Sequence, residues 1–184
     1  MASTTDGPPT VPVVLFTGPV GVGKTTVAME AARLLGEAQV PHALIDLAWT
    51  AVAWPAPRDD PWNERLLHRN LACLWSNFHQ AGAERLILCR VLEDRSVLRP
   101  ITRAVPGAEI TVIGLRAGLT ELHRRIRHRE AGRDPTWYLN ATTRLVDKLR
   151  DTRVEDHVLS NEGRSAEAVA TEALRLAGWF TGDS

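Results

Sequence analysis

Nine residues, GPVGVGKTT from Gly18 to Thr26, constrain this chain more than any other stretch. Gly18 is followed by four residues and then by Gly23-Lys24-Thr25, which fits G-x-x-x-x-G-K-[ST] in full. Glycines let the chain take positive φ and approach a ligand without a Cβ clash. Successive backbone N–H groups then turn inward and form an anion nest. A helix opening near Lys24 adds its N-terminal dipole and free donors, which favour phosphate. Lys24 is placed to reach the outer phosphates, and the Thr25 hydroxyl suits Mg²⁺, a hard cation that takes oxygen. The apolar, β-branched run Val13–Thr17 precedes the loop, and KTTVAMEAARLL follows it with apolar positions at Val27, Ala31, Leu34 and Leu35.

The motif is a P-loop (Walker A), and the chain resembles the P-loop NTPase and kinase superfamily. The nucleotide contacts implied are Gly18, Val20, Gly21, Val22, Gly23, Lys24, Thr25 and Thr26, with ATP and Mg²⁺ as cofactors. At 184 residues the chain suits one α/β domain over 11–184, preceded by a small polar tail over 1–10 that is expected to be disordered. Lys plus Arg and Asp plus Glu both number 22, so no global field draws in nucleic acid or an anionic membrane. The tail lacks the basic start and apolar core of a signal peptide, and no run reaches transmembrane length. A cytoplasmic protein is expected. Cys73 and Cys89 make no metal pattern, and Cys89 reads as buried in a strand.

Strand and helix signals alternate along the chain. Strands are predicted at VPVVLFT, PHALID, ERLILCRVL, AEITVIGLR and DHVLS. Helices are predicted from Lys24 to Leu35, Trp62 to Ala81, Trp137 to Arg153 and Ser165 to Ala177, the last ended by Gly178. Two more are RSVLRPITRAV, interrupted or begun near Pro100, and TELHRRIRHRE with Thr120 as N-cap. Pro55, Pro57 and Pro61 break the segment between Asp46 and Trp62. Such alternation forms a parallel sheet with helices on both faces, here a three-layer fold of five strands. Ligands bind outside the C-terminal strand ends.

The strand ends therefore supply the candidates. Asp46 ends strand 2; it is a base for a substrate hydroxyl or a group behind Mg²⁺, or else a turn cap. After strand 3, Glu93 is the candidate metal acid, Asp94 a cap, and Arg90 reaches the cleft or covers the sheet edge. After strand 4 come Arg116 and the run Arg124, Arg125, Arg127, Arg129 and Arg133, in which Arg125 and Arg129 share a helix face. With Gly132 and Pro135 the stretch 124–136 suits a mobile lid that neutralises charge on a transferring phosphoryl group. Asn161 to Arg164 could lie under an adenine ring. Trp49 and Trp54, in the proline-rich segment, could wall an acceptor, whereas Trp75 reads as core.

On the loop, Asp46, the arginine-rich helix and the closing NEGRSAEAVATEAL, residues 11 to 178 resemble the small P-loop kinases. These include shikimate, gluconate and adenylylsulfate kinases and chloramphenicol phosphotransferase. The resemblance implies transfer of the γ-phosphate of ATP to a hydroxyl of a small molecule, a metabolite or an antibiotic-like acceptor, by a monomer or homodimer. It implies Asp46 as base, Lys24 with one of Arg125, Arg129 and Arg133 as stabilisers of the transferring group, and Arg124 stacked on adenine. Three departures stand out, one being that strand 3, ERLILCRVL, lacks the apolar run ending in Asp of a Walker B motif, which bears on the Mg²⁺ site. Ile45-Asp46-Leu47 lacks the D-x-D of shikimate kinases, and Leu47, Ala48 and Trp49 replace the arginine that follows the adenylylsulfate kinase aspartate. A lone Asp before an apolar segment looks more like chloramphenicol phosphotransferase. The alternative is a nucleotide-binding ATPase or regulator with no acceptor, in which Asp46 only caps a turn.

Overall fold

A computed structural model describes residues 10–180, so nearly all of the expected 1–10 tail lies outside the described residues. Five parallel strands form one sheet in the order β2-β3-β1-β4-β5. In chain order the elements are β1 (Val11–Thr17), α1 (Lys24–Glu37), β2 (His42–Asp46), α2 (Glu64–Gln80), β3 (Arg85–Cys89) and α3 (Leu98–Ala104). They continue with β4 (Ala108–Arg116), α4 (Leu119–Arg129), α5 (Thr136–Thr152), β5 (His157–Ser160) and α6 (Ala166–Leu176). The three-layer α/β architecture expected from the alternating signals is present.

The central strand explains the layering. All but one residue of β1 are buried, with Val14, Leu15 and Phe16 at 0 % exposure. Alternate side chains enter different cores. Leu15, Leu86 and Leu88 meet Leu67, Leu71 and Trp75 of α2 on one face. Val14, Phe16, Ile87 and Cys89 meet α1 and α6 on the other. Trp75, at 4 % exposure, is core as expected. Burial of each large side chain contributes about 1.5–3 kcal/mol.

Several element ends differ from expectation, each for a local reason. The helix expected at Trp62 begins at Glu64, because Asp60 caps it by accepting from the Glu64 and Arg65 N–H groups at 2.8 and 3.0 Å. Strand β3 stops at Cys89, short of Leu92, whose N–H is taken by the Thr17 hydroxyl at 2.9 Å. The α3 segment begins before Pro100, which sits in the first turn where its missing N–H costs no bond. The expected N-cap Thr120 lies inside α4; Gly118 is the cap, and the carboxylate of Glu162 accepts its N–H at 2.7 Å. An acid from the β5–α6 loop thus complements that helix dipole.

Candidate active site

β1 delivers the chain to Gly18 at the C-terminal edge of the sheet, between β3 and β4. Gly18 has φ +138°, and a Cβ there would lie 2.5 Å from the Leu115 carbonyl oxygen of β4. Gly23 has φ +100°, and a Cβ there would lie 2.6 Å from Asn161 Nδ2. The loop therefore hugs β4 and the β5–α6 turn so closely that only glycine fits.

Lys24 opens α1 and folds back over the loop. Its Nζ donates to the Gly18 and Pro19 carbonyls, both at 3.0 Å. Burial pushes its pKa down to about 8; the Arg129 charge adds to this, while Cys89 and Asp46 oppose it. These couplings put Asp46 and Arg129 within electrostatic reach of the Lys24 ammonium. Burial pushes the Cys89 thiol up to about 12, so it stays protonated and unreactive.

The Thr25 hydroxyl donates to Asp46 Oδ2 at 2.6 Å, while Oδ1 accepts from the Ala48 N–H at 3.1 Å. Asp46 thus caps the 3-10 turn Leu47–Trp49, one of its sequence readings, and also faces the first turn of α1. Thr25 and Asp46 present oxygen donors side by side, which suits Mg²⁺ completed by phosphate oxygens and water. Glu93, the expected metal acid, pairs instead with Lys148 of α5. Asp94 caps the 3-10 turn Arg95–Val97 through the Ser96 N–H at 2.7 Å. Among the described residues no cluster of three or more His, Cys, Asp or Glu could hold a metal.

The arginines separate by partner. Arg125 donates from its two terminal nitrogens to the Val22 carbonyl at 3.2 Å and the Asn161 carbonyl at 2.7 Å. Its guanidinium is committed to the back of the phosphate loop. Arg129 lies 5.0 Å over the Tyr138 ring and pairs with Glu130 at 2.8 Å. Arg124 is exposed and pairs with Glu121 at 2.7 Å, as Arg33 does with Glu30 on α1. Arg133 is exposed in the 130–135 break between α4 and α5. Arg116 is tied to Glu155 and the Leu149 carbonyl, supporting the α5–β5 turn. Arg164 folds onto α6, pairing with Glu172 at 2.6 Å.

Asn161 is 6 % exposed, and its Nδ2 donates to the Val22 carbonyl at 2.6 Å. With Arg125 it holds the loop from behind. Thr142 of α5 adds a third grip, donating to the Val20 carbonyl at 3.3 Å. Sequence reasoning missed Thr142, which carries no spacing signal, and Asp60, whose place before a helix could have marked it as a cap. Thr26 is exposed on the first turn of α1.

Trp49 and Trp54 are exposed at 75 % and 92 %, and Trp62 at 72 %. Their segment is nonetheless pinned: Asn63 donates to the Ala51 and Ala53 carbonyls at 3.0 and 3.2 Å, and Asn70 to the Thr50 carbonyl at 2.6 Å. A separate concavity of about 780 Å³ lies at the other end of the sheet, lined by Pro12, Ala72, Trp75, His79 and Arg103, away from the loop.

Among solved structures the chain is similar to a tunicamycin resistance protein from Deinococcus radiodurans, with TM-score 0.63 and 18 % identity over 92 % of this chain and 97 % of that one. It is similar to a gluconokinase from Sinorhizobium meliloti, with TM-score 0.60 and 20 % identity over 92 % of each chain. It is also similar to the APS kinase of Mycobacterium tuberculosis solved with AMPPNP and APS, with TM-score 0.58 and 22 % identity over 93 % of this chain and 99 % of that one. No protein-family model and no curated protein matches the sequence. The fold is that of the small P-loop kinases.

Proposed function

We propose that the protein transfers the γ-phosphoryl group of ATP to a hydroxyl of a small molecule. One observation carries this reading: the Thr25–Asp46 hydrogen bond of 2.6 Å sets a strand-end carboxylate against the helix that the phosphate loop opens. The loop amides cradle the phosphates, and the Lys24 ammonium swings from the Gly18 and Pro19 carbonyls to the outer phosphate oxygens. Thr25 and Asp46 are the residues that would hold Mg²⁺, directly or through water, and the ion would supply charge neutralisation at those oxygens. The acceptor oxygen, aligned by Asp46, attacks the γ-phosphorus in line. The bond to the β–γ bridging oxygen breaks, ADP leaves, and the acceptor proton passes to Asp46. Arg129, with Arg133 from the 130–135 break, stabilises charge on the transferring group. Catalysis is mainly positioning and electrostatics, because the transition state is loose. Closure of the 124–136 stretch excludes water and suppresses hydrolysis.

The acceptor is proposed to lie beside Asp46 under the Trp49–Trp62 segment. The exposed rings there, and the likeness to a tunicamycin resistance protein, favour a bulky, antibiotic-like acceptor. The protein acts as a monomer or homodimer in the cytoplasm, without nucleic acid or membrane; among the described residues no helix is long and apolar enough to cross one.

A second reading has its own observation. Asp46 Oδ1 caps a turn, which is all it would do in a nucleotide-binding regulator or ATPase. Hydroxylated metabolites and antibiotics screened for ADP release, with mass detection of a phosphorylated product, separate the two. Acceptor-dependent ADP release with an added phosphate supports transfer. ADP release that ignores every acceptor supports the regulator or ATPase.

A further inference from the structure

We propose that the cavity at the end of the sheet remote from the phosphate loop binds a free α-amino acid with a large apolar side chain, its zwitterionic head held between Glu84 and Arg103. This site is independent of the phosphotransferase reading above.

Strand β1 separates the two sites. Its seven residues, at about 3.3 Å each, put about 20 Å between Val11 and Thr17, which leads into the loop. At the Val11 end the cavity of about 780 Å³ opens between α2 and α3. It exists because the cover there is thin. Helix α3 has seven residues against seventeen in α2, and Ala72, Ser76 and Ala104, which line the space, are too small to fill it. Its floor includes the buried residues Val11, Trp75 and Ala104. The Trp75 indole stacks on His79, with ring centroids 5.3 Å apart. The volume falls within the range of small-molecule pockets, about 300–1,000 Å³.

The rim selects the ligand. Glu84, His79 and Arg103 line the cavity and are exposed. Among the described residues neither Glu84 nor Arg103 pairs with an opposite charge, and the two do not pair with each other. Arg85 also lines the space, but its guanidinium lies 5.9 Å over the Trp179 ring, which packs on the core of the other sheet face. His79 Nδ1 lies 3.0 Å from the Ala83 carbonyl, which only accepts. The ring hydrogen therefore sits on Nδ1, and Nε2 of the neutral ring keeps a lone pair. A carboxylate suits Arg103, an ammonium suits Glu84 and that lone pair, and an apolar body covers the Trp75 ring. A plain carboxylate would meet the Glu84 charge, and a plain amine the Arg103 charge. A zwitterion with a large apolar side chain serves floor and rim together.

The test is ¹H–¹⁵N NMR of the tryptophan indoles of the full chain, with the Trp75 signal assigned by Trp75→Phe. L-phenylalanine and L-leucine are titrated. Phenylacetate, phenethylamine and L-alanine are the controls, lacking the ammonium, the carboxylate and the large side chain in turn. The expected result is that one or both amino acids move the Trp75 signal and leave those of Trp49, Trp54 and Trp62 in place, while each control binds about tenfold more weakly or worse. Glu84→Gln and Arg103→Gln, both at exposed positions, should keep the wild-type Tm and weaken L-phenylalanine about tenfold. Phenylacetate should bind Glu84→Gln no more weakly than wild type, and phenethylamine likewise Arg103→Gln. The proposal is overturned if neither amino acid moves Trp75, if a control binds as tightly, or if both variants bind L-phenylalanine like wild type. A response confined to Trp49, Trp54 and Trp62 also overturns it. So does a Trp75 shift on deletion of residues 2–9 that no amino acid reproduces, which makes that segment the occupant.

Discussion

The Thr25 hydroxyl and Asp46 Oδ2 meet at 2.6 Å, joining the first turn of α1 to the end of β2 across the mouth of the sheet. Residues 21 positions apart therefore work as one unit. Asp46→Asn keeps one oxygen, which can accept from the Thr25 hydroxyl or the Ala48 N–H but not both, and removes the base. Phosphoryl transfer should fall about 10²–10⁴-fold, the usual worth of a positioned base. ATP affinity should stay within about threefold, since the loop amides bind the phosphates. Turnover with the best acceptor and calorimetric titration of ATP measure the two quantities; wild-type turnover in the variant removes Asp46 from the chemistry.

Much of this unit is readable in the sequence. The Gly18–Thr25 spacing and the strand before it place the loop, and the strand-end rule points to Asp46. What the sequence hides is partner choice. Nothing in the spacing of Arg125 and Arg129 tells that one turns to the Val22 carbonyl and the other to Tyr138, because both lie on the same helix face. Glu93 was an equally reasonable metal acid until α5 brought Lys148 to it. Thr142 reaches the loop from a helix 122 residues away in sequence, a contact that only tertiary packing creates.

Lys24 carries a pH signature. Its folded pKa is about 8 against an ordinary 10.5, so between those values the unfolded chain binds more protons than the folded one. Stability from this group therefore rises with pH from about 8 to 10.5; below 8 the cost of enclosing the charge is fully present, at about 3 kcal/mol. Lys24→Met should raise the Tm of the nucleotide-free protein at pH 7, and the gain should fade toward pH 10. The same variant should lose ATP binding. In wild type, the phosphates favour the charged lysine, so ATP affinity should decline as pH climbs past about 8. Calorimetry in buffers of different ionisation enthalpy should then show proton uptake; none at pH 8.5 contradicts the assignment.

Gly18 and Gly36 form a matched pair. At Gly18 a Cβ would meet the Leu115 carbonyl oxygen at 2.5 Å, whereas at Gly36, in α1, nothing lies within 4 Å. Gly18→Ala should cost about 2–4 kcal/mol through strain and backbone displacement. Gly36→Ala, in the last turn of α1 without a positive φ, should instead gain about 0.4–1 kcal/mol, because alanine narrows the unfolded chain at a conformation it can take. Urea denaturation of both variants reads the difference, and equal midpoints would mean that the loop does not hug β4 as described.

Arg129 and Arg124 are five residues apart on one helix, but only the Arg129 charge acts on Lys24. Arg129→Ala should lower kcat about 10³–10⁵-fold, the range of a phosphoryl-stabilising arginine. It should also shift the fall in ATP affinity to higher pH, since a cation that disfavours charged Lys24 is gone. Arg124→Ala, which breaks an exposed pair with Glu121, should leave that pH profile in place. An unchanged profile in Arg129→Ala would separate the lid from the lysine.

Asn161 and Arg125 both donate to the Val22 carbonyl, at 2.6 and 3.2 Å, and Arg125 also holds the Asn161 carbonyl. The three groups close a ring behind the phosphate loop, where Asn161 is 6 % exposed. Asn161→Ala removes the shorter bond but leaves Arg125 donating to the Val22 carbonyl, so it should cost about 0.5–1.5 kcal/mol of stability, the net worth of one hydrogen bond. Asn161→Asp is nearly the same shape but turns a donor into a carboxylate facing a carbonyl, so it should be the worse of the two despite its smaller change in volume. Because the ring sets the loop's shape rather than touching the reacting atoms, ATP KM should rise about tenfold in Asn161→Ala with a smaller change in kcat. Steady-state kinetics at saturating acceptor gives both constants. A large fall in kcat with unchanged KM would place Asn161 in the chemical step instead.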